Sequence, residues 1–154
     1  MGYTASGLDQ KLNKAGWGIA ARNSSGELAG AWARPTEGCA EVQVEEALAI
    51  REAMVLAKQM GWRNAELESD CKHVVDKINA REEEVSIAII QLDIWRMMKE
   101  FDQCCFSYTR RSNNYVSHYL PKFAITLIDV AEWKLSFSAW LLELVQADLP
   151  EQLL

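Results

Sequence analysis

Proline is scarce in this chain, at three residues of 154, and glycine contributes only eight. That composition excludes a collagen-like chain, a proline-rich extended segment and a flexible low-complexity linker. Histidine occurs twice, and the four cysteines (Cys39, Cys71, Cys104 and Cys105) include no CxxC pair. The spacing of a zinc site is therefore missing, and the cysteines read as reduced, buried thiols. Adjacent Cys104 and Cys105 point to opposite faces if they lie in a strand. No run approaches the ~18 uninterrupted apolar residues of a membrane span, and the first residues lack the charged-then-apolar order of a secretory signal. The expectation is an intracellular protein, cytoplasmic or nuclear, with no membrane partner. Gly2 with Ser6 fits the loose myristoylation pattern, but the segment reads better as a strand.

A basic surplus is also lacking. The net charge is −6, with 16 Lys and Arg against 22 Asp and Glu. Bulk charge of that sign opposes non-specific affinity for nucleic acid. The charge is unevenly spread, however. Residues 103–128 carry Arg110, Arg111 and Lys122 and no acid, whereas 41–102 and 129–154 are acidic. A local basic island therefore survives inside an acidic chain.

What is present is ordinary globular composition, 49% apolar and 25% charged, over a length that suits one domain with a real core. The order of elements is informative. Residues 16–23 alternate weakly and end at Asn23-Ser24-Ser25-Gly26, a turn, after which 27–33 resume as a strand, giving an antiparallel hairpin. Residues 41–60 are good helix formers closed by Gly61. Residues 64–69 form a short strand, Asp70 stands where a helix N-cap belongs, and 71–81 continue as helix. Residues 84–101 have a helical period, with Ile87, Ile90, Ile94 and Met97 or Met98 on one side. Residues 103–110 read as a strand, and 113 onward as a helix that Pro121 kinks or restarts. The apolar segment 133–149 packs over the core. Strands first, then strand–helix alternation, indicate a mixed α/β domain joining an antiparallel hairpin to parallel strands. Function in such sheets gathers at the carboxyl ends of the strands, which directs attention to Asp70 and to the residues after Arg110.

On a helical wheel Glu46 falls within about 40° of Ile50, Ala53 and Ala57, in the middle of the apolar face, whereas Glu45 and Glu52 point elsewhere. A core-facing acid is costly unless it is paired or metal-bound; the bland alternative is a helix-start carboxylate held by backbone N–H groups. Asp70 is either a plain N-cap or a carboxylate displayed at a strand end. Together Glu46 and Asp70 could begin an oxygen-ligand site for Mg²⁺. His118 shares a helix face with Asn114 and is either a structural hydrogen-bonder or a proton shuttle. His73 is the weaker candidate, and Asp76 and Glu82-Glu83-Glu84 read as solvated faces.

The strings GWGIAARNSSGELAGAWA, VEEALAIREAMVLAKQMGW, ELESDCKHVVDKIN and FSYTRRSNNYVSHYL resemble the plant RNase H-like family, related to ribonuclease H type 1 and to the RNase H modules of non-LTR retroelements. The resemblance spans about Ala15 to Leu149. It implies a five-stranded mixed sheet flanked by helices, formed by one domain over 1–154. Residues 1–14 would be a clipped first strand and its turn, and 133–154 an apolar segment packed on the domain. It implies endonucleolytic cleavage of the RNA strand of an RNA–DNA hybrid, with Mg²⁺ (or Mn²⁺) held by carboxylates. By motif position the helix acid resembles Glu46, the strand-end acid Asp70 and the last-helix ligand Asn114. His118 matches the family's histidine in that helix.

The first ligand departs from the pattern. The family places an Asp in its first strand, and counting back twelve residues from Trp17 puts Ala5 there, with Asp9 four residues too late. Pro121 replaces the Ala of the family's HxLAK pattern. The resemblance therefore leaves three functions open. One is a nuclease using Glu46, Asp70, Asn114 and His118. Another is a catalytically inactive module that binds a hybrid or duplex through Arg110, Arg111 and Lys122. The third is a protein-interaction domain using its acidic surface or the tryptophans Trp133 and Trp140. A shortened first strand is consistent with a clipped start, a degenerate retroelement copy, or a fold retained without catalysis.

Overall fold

The computed structural model describes residues 2–9, 14–22, 27–37, 41–110, 131–134 and 139–148, with the backbone alone for 2–9, 14–17, 28, 34–37 and 144–148. Six strands form one mixed sheet. They are β1 (Gly2–Asp9), β2 (Lys14–Arg22), β3 (Leu28–Glu37), β4 (Asn64–Ser69), β5 (Gln103–Tyr108) and β6 (Ala131–Trp133). The described helices are α1 (Val42–Gln59), α2 (Lys72–Ala80), α3 (Ala88–Met98) and α4 (Ala139–Asp148), with a 3-10 turn at Val85–Ile87 ahead of α3.

The spatial order is β5-β4-β1-β2-β3-β6. β1 and β2, β2 and β3, and β3 and β6 pair antiparallel, while β1 with β4 and β4 with β5 pair parallel. This is the expected mixed α/β architecture with one addition. The segment around Trp133, expected simply to pack over the core, instead begins as a sixth strand whose Trp133 sits opposite Ala31. All eight residues of β1 pair with β2, from Gly2↔Ala21 to Asp9↔Lys14.

The core lies between the sheet and its helices. Period-two alternation sends Ile19, Ala21, Trp32 and Leu67 to the face that α1 covers, where they meet Ile50, Ala53, Met54 and Ala57. Val74, Val75 and Ile78 of α2 and Ile87, Ile90 and Ile94 around α3 complete the cluster. α1 is buried over a wider arc than the wheel suggested, because it packs against the sheet on one side and against α3 and the 3-10 turn on another. Glu45, expected to point away, is therefore only 4% exposed. α1 ends in Gly61 at φ 74°, a left-handed value that glycine adopts without steric cost. No described helix is long and apolar enough to cross a membrane.

The cysteines are less buried than composition suggested. Cys104 faces inward and Cys105 outward, as strand alternation requires, but Cys105 is exposed and Cys71 and Cys104 are half-buried; all three are free thiols. Burial pushes the Cys104 thiol up to about 11. Cys39 lies outside the described residues.

Candidate active site

β4 delivers the site. Its alternation places Leu67 and Ser69 on the α1 face, and the chain turns immediately after Ser69 into α2. Asp70 is not the N-cap of that helix. Cys71 occupies the cap position, and no side chain makes a capping hydrogen bond there. α2 thus starts one residue later than the sequence pattern implied. Asp70 instead sits in the bend between strand and helix.

Glu46 comes from the second turn of α1 and is 2% exposed. Its Oε2 accepts a hydrogen bond from the Ser69 hydroxyl at 3.2 Å, and Ser69 is itself 1% exposed. The Cys71 backbone N–H donates to the same Ser69 Oγ at 3.2 Å, closing a tight turn around Asp70. Burial raises the Cys71 thiol above its ordinary value, and the negative fields of Glu46 and Asp70 reinforce the shift. Both acids therefore lie within electrostatic reach of one residue. The structure brings these two predicted acids to the same corner.

Parallel pairing fixes what stands beside that corner. Gly2 lies opposite Leu67 and Tyr3 opposite Glu68. The parallel pairing ends there, with Ala5 two residues beyond Tyr3 on β1 and Asp70 two residues beyond Glu68. On its other side Ala5 pairs with Gly18 of β2. Asp9 lies at the far end of β1, opposite Lys14.

β5 brings Arg110 near. The Thr109 N–H donates to the Ser69 carbonyl at 3.0 Å, so Arg110, which is exposed, follows directly from a residue bonded to β4's end. Asn114, His118, Arg111, Lys122 and Pro121 lie outside the described residues. His73 is exposed and faces Glu84 at 3.4 Å, a surface contact on α2 in keeping with its low ranking. Asp76 and Glu82 bond Lys72 and Lys77 on the surface, as solvated faces do.

Two further features belong elsewhere. On the opposite face of β4, Glu68 is half-buried; burial pushes its carboxyl above the ordinary range and the neighbouring Glu66 adds to this, while Thr109 and Arg22 pull it down. A cleft of about 750 Å³ lined by Arg22, Asn64, Glu66 and Cys105 opens at the start of β4, the end away from Asp70. Trp133 and Trp140, offered as a partner surface, are half-buried and meet each other edge to face with centroids 5.9 Å apart.

Ser69 was missed by sequence reasoning. The signal was available: in AELES the alternation that sends Leu67 inward also sends Ser69 inward, and a polar residue at a core-facing position needs a partner.

The comparisons decide the family. The reverse transcriptase-like family matches residues 3–124. The chain belongs to that family. No curated protein sequence matches it. Among solved structures, RNase H1 from the halophilic archaeon Halobacterium salinarum superposes with a TM-score of 0.73 at 16% identity, covering 80% of this chain and 94% of that one. LC11-RNase H1, a compost-derived enzyme solved in complex with an RNA/DNA hybrid, gives 0.72 at 18% identity over 80% and 94%. The foamy viral protease-reverse transcriptase, also solved with an RNA/DNA hybrid, gives 0.68 at 14% identity, covering 81% of this chain and 20% of that one. This reverse transcriptase-like chain therefore has the RNase H-like fold: the fold expected from its motif strings.

Proposed function

We propose that this reverse transcriptase-like domain engages RNA–DNA hybrids in the manner of ribonucleases H, and that residue 5 limits its nuclease activity. What supports the reading is the Ser69 turn that joins Asp70 to Glu46, with β1 running parallel to β4 so that Ala5 lies two residues past its last pair, Tyr3 and Glu68. The likeness to enzymes solved on RNA/DNA hybrids supports the choice of substrate.

The donor chemistry at the corner suits a divalent ion only in part. Glu46 and Asp70 offer hard oxygen ligands, and Mg²⁺ accepts one or two carboxylates while retaining several waters. Among the described residues no group of three or more His, Cys, Asp or Glu converges into a cage for a metal. Glu46 and Asp70 would hold the ion, with Asn114 as a further oxygen donor. Bound there, such an ion would supply activation of water and stabilisation of the leaving oxygen of a phosphodiester. Glu46 is held by the Ser69 hydroxyl, Asp70 presents its carboxylate at the strand end, and His118 serves as the proton carrier. Arg110, Arg111 and Lys122 contact phosphates, which positions the duplex without reading its sequence. With about three such contacts, affinity falls by about three decades per decade of salt. The likeness to the plant and retroelement branches rests on the motif strings, and a cytoplasmic or nuclear location on the same reading.

The test is a labelled RNA–DNA hybrid incubated with Mg²⁺ and then Mn²⁺. Wild type binds the hybrid at low salt and cleaves it slowly or not at all, Ala5→Asp cleaves it, and Asp70→Asn does not. Equal inactivity of Ala5→Asp, with binding intact, contradicts the nuclease half of the proposal and leaves a hybrid-binding module. Absence of any hybrid binding contradicts both halves and leaves a protein-interaction domain.

A further inference from the structure

Ser69 couples the two acids through a single hydroxyl. Its oxygen accepts the Cys71 N–H at 3.2 Å, and its proton goes to Glu46 Oε2 at 3.2 Å. The first bond folds the three-residue turn that carries Asp70; the second fixes the carboxylate arriving from α1. Because the oxygen is occupied by an N–H donor, the hydroxyl proton is directed towards the carboxylate. Ser69 and Glu46 are 1% and 2% exposed, so water does not stand in readily if the hydroxyl is lost. The Ser69 carbonyl is held as well, by the Thr109 N–H at 3.0 Å. Residue 69 is thus fixed at both backbone and side chain, and both acids take their placement from it.

We propose that Ser69 is a positioning residue which sets the distance and orientation of Glu46 relative to Asp70, so that the pair can bind a divalent cation. This rests on the metal-dependent reading above. It goes beyond that reading in assigning the geometry of the pair to a residue that would not touch the ion. A hydroxyl of this kind plays the part that outer hydrogen-bond partners play around metal ligands, where their removal weakens metal affinity about ten- to a hundredfold.

The test reads Mn²⁺ binding by the loss of the free-ion paramagnetic resonance signal, on the full chain without nucleic acid. Wild type shows one saturable site class that Glu46→Gln abolishes. Ser69→Ala weakens Mn²⁺ binding about tenfold or more, and Ser69→Thr, which keeps the hydroxyl, restores it. Thermal unfolding without metal is measured beside each titration, since a purely structural role lowers the melting temperature while the folded fraction keeps wild-type affinity. If Ser69→Ala does not fold, Ser69→Cys carries the same expectation, because a thiol is a much weaker donor. Folded Ser69→Ala or Ser69→Cys protein that binds Mn²⁺ as tightly as wild type overturns the proposal and leaves the metal reading standing. Wild type without any saturable Mn²⁺ site overturns the metal reading itself, and the role of Ser69 with it.

Discussion

A buried carboxylate needs a reason, and at Glu46 the reason is visible in its neighbours. The acid lies 2% exposed on a helix face made otherwise of Ile50, Ala53 and Ala57, and a hydroxyl from β4 reaches it. Glu68 offers a second, simpler case. Its carboxyl is raised by burial and by Glu66, so the folded state holds its proton at higher pH than the unfolded chain does. Below the ordinary carboxylate value both states are protonated and the group is neutral in its effect. As pH rises from there through the raised folded value, the unfolded chain ionises first and stability falls. Glu68→Gln removes that slope: chemical denaturation across pH 4 to 7 should show the variant gaining on wild type as pH increases, and a constant difference would count against it. At this scale the sequence was partly legible. The wheel found Glu46 because apolar neighbours outnumber it. It misplaced Glu45, because one sequence cannot say that α1 packs on two sides. Asp70 was found at the strand end, and α2 begins at Lys72, one residue later than the pattern implied.

Among the elements, β3 is held by a close approach. A Cβ added at Gly30 would fall 2.5 Å from the Trp32 ring, and Trp32 is 4% exposed, so the ring has nowhere to swing. Gly30→Ala should destabilise the domain by about 1–3 kcal/mol, measured by urea denaturation. A neutral result would show that the ring has room to move. In α3, Ile94 is wholly buried against the core, and Ile94→Ala should cost about 2–5 kcal/mol. A loss under about 1 kcal/mol in the same assay would show that α3 is loosely docked. The helices and β4 were readable because their periods and end signals are local: 64–69 was placed to the residue, and α3 was marked by isoleucines at helical spacing. β6 was not readable. Three residues carry too little pattern to announce a strand, and their pairing with Ala31–Ala33 is a contact between distant parts of the chain.

The molecule as a whole joins an acidic chain to a fold whose relatives have been solved on nucleic acid. The sequence supplied the fold through the order of its elements and through motif strings spread over its length. It also pointed to residue 5 as the position at which the resembling family carries an acid. What it could not supply is pairing. The parallel ladder of β1 with β4 pairs Gly2 with Leu67 and Tyr3 with Glu68, and the turn at Ser69 ties the corner at Asp70 to α1. On the proposed reading, restoring one carboxylate at residue 5 repairs the site. The most direct measurement is the rate of RNA–DNA hybrid cleavage in Mn²⁺ by wild type, Ala5→Asp, and Ala5→Asp combined with Asp70→Asn. Cleavage that rises at least about tenfold over wild type in Ala5→Asp, a transition-state gain of about 1.4 kcal/mol, and is lost in the double variant is the predicted result. An Ala5→Asp protein that folds and binds the hybrid yet cuts no faster than wild type would contradict it.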